Sequence, residues 1–252
     1  MSAKEIPPST LPIAGFPVTE ATPAELAKRL INSIRYQEKI TLLYANSNFI
    51  VKCEPLLHRM YDDKVVIVND GVGMDIAARI LHGRAFKANL NGTDFTPYLF
   101  QQSQRPLRVF MYGAQPHVVA KAATYVQEQL GQLVVGYENG YEDIQQDALI
   151  SAINQAKPDV LLVAMGNPLQ EAWILENRHS LEVPIVSGVG ALFDFWAGDK
   201  PRAPRFVQII RMEWFYRLCL EPRRLFRRYT IDILVFLRAC FRQPTFHKTN
   251  PQ

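Results

Sequence analysis

The sequence predicts an α/β fold, a parallel sheet with helices on both faces, followed by a basic helical appendage. Three observations carry that expectation. Short runs rich in β-branched and apolar residues, at 64–68 (KVVIV), 107–112 (LRVFMY) and 158–164 (PDVLLVA), read as strands buried on both faces. Each runs into a Gly, Asn or Pro cluster and then into apolar residues at helical spacing, the alternation that builds parallel sheets. After Trp196 the texture changes: Pro201 and Pro204 mark a boundary, and arginine and aromatic residues dominate beyond it.

The elements follow in order. Residues 1–18 are proline-rich and are expected to pack loosely. Thr22-Pro23-Ala24-Glu25 is a capping box with proline at the first helical position, so a helix starts there and runs to about Gln37. Residues 39–45 (KITLLYA) read as a strand ending at Asn46-Ser47-Asn48, with a helix through Met60. The strand at 64–68 ends in Asn69, Asp70, Gly71 and Gly73, and Ile76, Ala77, Ile80 and Leu81 continue at helical spacing. Asn91-Gly92-Thr93-Asp94 is a turn, with Thr93 or Asp94 expected to cap a helix. The strand at 107–112 leads through Gly113 and Pro116 into a helix ending near Leu130. A strand at 133–137 and a helix at 142–156 precede the strand at 158–164. That strand enters Met165-Gly166-Asn167-Pro168 and a helix carrying Gln170, Glu171 and Trp173. A last strand at 184–187 ends in Gly188-Val189-Gly190. Two arginine- and aromatic-rich helices are expected at 205–220 and 222–241. The division is a loose segment at 1–18, an α/β core at 19–199 and an appendage at 200–252, with no internal repeat.

Composition narrows the class. With 48% hydrophobic and 21% charged residues, the 252-residue chain is an ordinary globular one and long enough for one large α/β domain. Cys53, Cys219 and Cys240 are odd in number and far apart, which argues against a disulfide framework or a zinc site and fits a reducing cytoplasm. The opening MSAKEIPPSTLP lacks the apolar core of a signal peptide, and no window of about 18 residues is apolar enough to span a membrane. The net charge of +4 is unevenly spread. From Lys200 onward there are 12 Lys+Arg against three Asp+Glu, leaving 16 basic and 21 acidic residues before it. A mildly acidic body thus carries a basic tail that suits an anionic partner.

Four glycine-bearing strand ends, at Asn69 to Gly73, Gly113 to Pro116, Gly166 to Pro168 and Gly188 to Gly190, would meet along one sheet edge. Glycines next to helix N-termini suit a phosphate-bearing ligand, because free N–H groups and the helix dipole favour anions. Asp70 sits on that edge, readable either as a helix-capping turn residue or as a functional carboxylate. The dinucleotide fingerprint fails, since Ile76 stands where a third small residue belongs, and there is no Walker lysine or nucleophile elbow. The histidines have no ligand spacing, and Asp62-Asp63 reads better as a turn than as a metal clamp, so no metal or cofactor is expected. In the tail, Arg217, Arg224 and Arg228 fall on one helical face among aromatics. That pattern suits an anionic membrane or a lipid-linked phosphate better than nucleic acid, which favours aromatics on a sheet or in a strand channel. A non-catalytic nucleotide- or nucleic-acid-binding protein is the competing reading.

Several motifs coincide. NDGVGM at 69–74, NGTDF at 91–95, FMYGAQP at 110–116, VAMGNPLQE at 163–171, VGALFDFWAGDKPRAP at 189–204 and RMEWFYRLCLEPRRLFRR at 211–228 keep their order over roughly residues 14–240. In these the chain resembles the WecG/TagA/CpsF glycosyltransferases, glycosyltransferase family 26. The resemblance implies a Rossmann-like core of the GT-E type with a C-terminal appendage that completes the site at the membrane. It implies bacterial enzymes that pass a sugar from a UDP-sugar to a polyprenyl-diphosphate-linked glycan acceptor, in wall teichoic acid, common-antigen or exopolysaccharide synthesis. The donor would be of the UDP-glucose, UDP-N-acetylmannosamine or UDP-N-acetylmannosaminuronate type. It further implies a cytoplasmic protein held peripherally on the inner face of the membrane, with Asp70 as general base and Gln170 helping to hold the sugar. The expected substrate-binding set is Asn46, Gly71, Gly73, Asn91, Gly113, Gly166, Gln170, Glu171, Gly190, Arg217, Arg224 and Arg228. The chain departs from the family pattern at Leu169, where the motif has lysine, at Tyr44, where an upstream threonine is expected, and at Asn89, where an arginine is expected.

Overall fold

The computed structural model describes residues 9–142, 144–204, 206–207, 212–223, 226 and 230–242. Eight strands form one sheet: β1 (Thr10–Ile13), β2 (Phe16–Thr19), β3 (Ile40–Ala45), β4 (Val65–Asn69), β5 (Arg108–Gly113), β6 (Leu133–Glu138), β7 (Val160–Ala164) and β8 (Ile185–Gly188). Their order is β1-β2-β4-β3-β8-β7-β5-β6, and every pairing is parallel except β1 with β2. Strands β3, β4, β7 and β8 are buried along their whole length, as non-alternating apolar runs in the middle of a covered sheet must be.

Helices cover both faces. One layer holds α2 (Ser47–Lys52), a 3-10 helix over Glu54–Met60, α3 (Val72–His82), α6 (Gln146–Ala156) and α7 (Leu169–Asn177), packed on Phe49, Met74, Ile153 and Ile174. The other holds α1 (Pro23–Tyr36), α4 (Gly92–Gln102), α5 (Pro116–Glu128) and α8 (Leu192–Trp196), packed on Leu30, Phe95, Val119 and Phe193. The predicted capping box is present: the Glu25 N–H donates to Thr22 Oγ1 at 3.2 Å and the Thr22 N–H to Glu25 Oε2 at 2.8 Å. Helix α4 is capped two to three residues earlier than expected, by Asn91 rather than Thr93 or Asp94, with Asn91 Oδ1 accepting from the Asp94 N–H at 2.9 Å.

Two expectations about the ends of the chain are corrected. Residues 10–19 are an antiparallel hairpin in the sheet, not a loose lead-in. Leu11, Ile13, Phe16 and Val18 are buried, and Phe16 meets the Phe49 ring edge-on at 5.4 Å. Pro12 and Pro17 face each other across the pair, so their two missing donors fall on one rung. Arg84 clamps Glu20 just beyond the hairpin, with Nη2 2.7 Å from Oε2. At the other end, α9 (Glu213–Leu220) and α10 (Ile231–Phe241) are described. Helix α10 is not outside the core: Phe236 and Cys240 are buried in the same cluster as Phe49 and Met74. This part of the appendage therefore packs on the body's core. Arg224 and Arg228 lie outside the described residues; the backbone of Arg217 lies within α9.

Phe16→Ala removes a fully buried ring from the hairpin and is expected to destabilise the fold by about 3–5 kcal/mol. Urea unfolding of the variant should show a clearly lowered midpoint. An unchanged midpoint would return the hairpin to the periphery.

Candidate active site

Strands β4, β3, β8, β7 and β5 are adjacent and parallel, so their carboxyl ends share one edge. All four predicted glycine turns lie there, and at β3 a fifth end adds Asn46. Asp70 follows β4 directly, and its N–H donates to the Ala45 carbonyl at 2.7 Å, which extends the ladder by one rung. Asn46 caps α2, with Oδ1 accepting from the Phe49 N–H at 3.1 Å. The cap needs an acceptor, so it fixes which way the amide faces. Asn46 Nδ2 is thereby turned toward Asp70 and donates to Oδ2 at 3.1 Å. The half-buried Asp70 carboxylate is held from both its backbone and its side chain.

Below it lies Tyr44, fully packed against the other helix layer. Burial pushes its phenol well above its ordinary pKa, and the nearby Asp70 charge adds to the shift. The Tyr44 ring also explains Gly92, where an added Cβ would lie 3.1 Å from Tyr44 Cε2. Gly71 has φ +94°, and its N–H donates to Asn89 Oδ1 at 2.7 Å.

The other half of the edge is organised by Gln170 and Glu171, both nearly inaccessible at 2% and 1% exposure. Gln170 Oε1 accepts from the Gly166 N–H at 3.2 Å and from the Gly190 N–H at 3.0 Å. Gln170 Nε2 donates to Glu171 Oε1 at 2.7 Å. The same oxygen accepts from Asn167 Nδ2 at 2.7 Å, while Cys53 Sγ lies 3.6 Å from Oε2. Asn167 Oδ1 in turn accepts from Asn48 Nδ2 at 3.2 Å. Burial raises the Glu171 pKa, and hydrogen bonds from Gln170, Asn167 and Cys53 pull against that shift. Burial and the neighbouring carboxylate push the Cys53 thiol up, so it remains a protonated donor.

These contacts sort the predicted residues. Asp70, Asn46, Gly71 and Gly73 come together at the ends of β3 and β4. Asn91 is close in sequence but is spent on the α4 cap, and its Nδ2 also donates to Asp94 Oδ2 at 2.8 Å. Gly166 and Gly190 are on the edge, and their N–H groups donate to Gln170 Oε1. Gln170 and Glu171 are turned inward, and the Gln170 amide joins two turns. Gly113 is a packing glycine, since a Cβ there would lie 2.4 Å from the Ala164 carbonyl oxygen. Sequence reasoning placed Tyr44 and Asn89 as departures from the family pattern, and missed Asn48, Cys53 and Asn167 as members of the constellation; the Asn46-x-Asn48 spacing at a strand end pointed toward Asn48. Asp62 behaves as the predicted turn residue, accepting from the Lys64 N–H at 2.8 Å and pairing with Arg178 at 2.8 Å. Among the described residues no group of three His, Cys, Asp or Glu side chains is arranged to hold a metal, and no helix is long and apolar enough to cross a membrane.

Three relatives carry the name N-acetylglucosaminyldiphosphoundecaprenol N-acetyl-beta-D-mannosaminyltransferase. That from Bacillus spizizenii is 34% identical over 167 residues, 66% of this chain and 64% of the relative. That from Bacillus subtilis is 32% identical over 168 residues, again 66% and 64%. That from Staphylococcus aureus is 32% identical over 129 residues, 51% of each chain. The match thus spans less than two thirds of these relatives' own length. The model of the glycosyl transferase WecG/TagA/CpsF family matches residues 11–250. Nearly the whole chain is covered, with the edge residues from Asn46 to Gly190 inside the match, and the chain belongs to the glycosyl transferase WecG/TagA/CpsF family.

Proposed function

We propose that this protein transfers a sugar, with inversion, from a UDP-sugar to a hydroxyl of a polyprenyl-diphosphate-linked glycan, with Asp70 as general base. The observation that carries the reading is the Asp70 carboxylate, half-buried at the end of β4 and held in place by the cap residue Asn46. The names of the relatives support an N-acetylmannosamine-type donor and a diphosphoundecaprenol-linked N-acetylglucosamine acceptor.

The step itself is a single displacement. The acceptor oxygen attacks the anomeric carbon, the bond from that carbon to the UDP oxygen breaks, and the bonding pair leaves with the diphosphate. The acceptor proton passes to Asp70, whose approach to the attacking hydroxyl is fixed by Asn46. Charge developing on the leaving diphosphate needs positive potential, which the N-termini of α2 and α3 at the same edge supply. Arg217, Arg224 and Arg228 are the tail residues proposed to add to it. The reaction so written uses no metal ion.

The outer side of α10 supports attachment to a membrane on the cytoplasmic side. Ile231, Leu234, Val235 and Phe241 are exposed and share a helical face with Arg238, while Phe236 and Cys240 point into the core. An apolar face with basic residues beside it suits an anionic leaflet, each nearby cation adding about 1 kcal/mol.

Three expectations follow from this reading. Asp70→Asn should lower turnover by about 10²–10⁴-fold while UDP-sugar binding persists, measured by UDP release and by calorimetry; near-normal turnover would leave Asp70 a turn residue only. Turnover should persist in EDTA, and a loss restored by manganese or magnesium would contradict the metal-free step. Leu234→Asp combined with Val235→Asp should weaken sedimentation with anionic vesicles, and added salt should weaken the unaltered protein. Vesicle binding indifferent to both would remove α10 from the membrane contact.

A further inference from the structure

The edge residues divide into two groups, one around Asp70 and one around Glu171, and the second has no place in the displacement just described. Its polarity is nevertheless fully determined. Backbone N–H groups only donate, so Gln170 must turn Oε1 to Gly166 and Gly190 and present Nε2 to Glu171. Those two glycines have φ +77° and +57°, in two separate turns that follow two neighbouring strands. One buried amide thus joins both turns. Gly188 leaves it room, because a Cβ there would lie 3.0 Å from Gln170 Nε2. Glu171 also reaches across β8 to α2, through Cys53 at the C-terminal end of that helix and through Asn167 and Asn48 at its start. Helix α2 is the one whose cap, Asn46, orients Asp70.

We propose that Glu171 is a positioning residue: acting through Gln170, it locks the turns after β7 and β8 into one wall of the cleft and ties that wall to the helix that orients Asp70. Glu171 is shut off from solvent and acts through its hydrogen-bonded neighbours. The consequence for turnover rests on the transferase reading, whereas the brace itself does not.

The test uses the full chain and compares Glu171→Met, which keeps the length but removes the acceptor, with Glu171→Gln, which keeps an oxygen for Gln170 and Asn167. Amide exchange of Gly166 and Gly190, followed by nuclear magnetic resonance, should speed up by about tenfold or more in Glu171→Met, the order expected for one lost buried hydrogen bond. It should return toward the unaltered rate in Glu171→Gln. The apparent KM for the UDP-sugar should rise with the exchange rate, with kcat less affected. Should Glu171→Met fail to fold, Gln170→Glu sets two carboxylates face to face, and the double variant Gln170→Glu/Glu171→Gln restores a donor between them. Rescue of the two glycine amides in the double variant supports the brace. Exchange at Gly166 and Gly190 unchanged in both single variants, or raised equally along the whole chain with no rescue, overturns it. If the unaltered protein transfers no sugar from any UDP-sugar, the transferase reading fails while the exchange result still decides the brace.

Discussion

Five neighbouring parallel strands end along one edge, and everything at the site follows from how those ends are closed. Parallel strands cannot be joined by tight hairpins, so each end must turn out of the sheet and enter a loop or helix. That leaves N–H groups near every turn in need of acceptors. In this chain amide side chains answer them: Asn46 for α2, Asn89 for Gly71, Asn91 for α4, and Gln170 for Gly166 and Gly190 together. An amide carries a donor beside its acceptor, so each of these bonds aims an N–H₂ group at a second place. Two of those second places matter most. Asn46 aims at Asp70, and Gln170 aims at Glu171.

How much of this was legible depends on whether sequence spacing carries the information. The buried strands were, because a run such as residues 160–164 is apolar on both faces and bounded by proline and glycine. The hairpin at 10–19 was not, because Pro12 and Pro17 read as breakers until their pairing on one rung is seen. Counting charges in the tail obscured that Phe236 and Cys240 form an inward stripe on α10. At the site, Asp70 could be placed because a strand followed by Asn-Asp-Gly puts its carboxylate on the ligand-bearing edge. The inward turn of Gln170 could not, since the same helical position serves either a substrate or a buried amide, and only three-dimensional contacts decide between them.

The segment joining body and tail is fastened at several points. Asp199 meets His117 at 2.8 Å and Lys121 at 3.2 Å, both on α5, and these partners hold its carboxyl below the usual range. Lys200 pairs with Asp194 at 3.2 Å. Arg202 contacts Asp94 at the start of α4 and Glu213 at the start of α9. Each of these pairs is partly exposed and individually weak. Together they give the connecting segment a fixed path over the helix layer that contains α4, α5 and α8, while α10 returns to the opposite layer to bury Phe236. The tail thus touches both sides of the sheet.

Gly113 changes how the glycines of this family of folds can be interpreted. Its Cα lies so near the Ala164 carbonyl that the two strands could not stay in register around any larger residue. The position records the spacing of β5 and β7. A chain that had lost the carboxylate at position 70 would still be selected to retain this glycine for as long as it had to fold. Persistence of such a residue among divergent sequences therefore marks inheritance of a scaffold, and claims of shared activity have to rest on the side chains at the neighbouring strand ends.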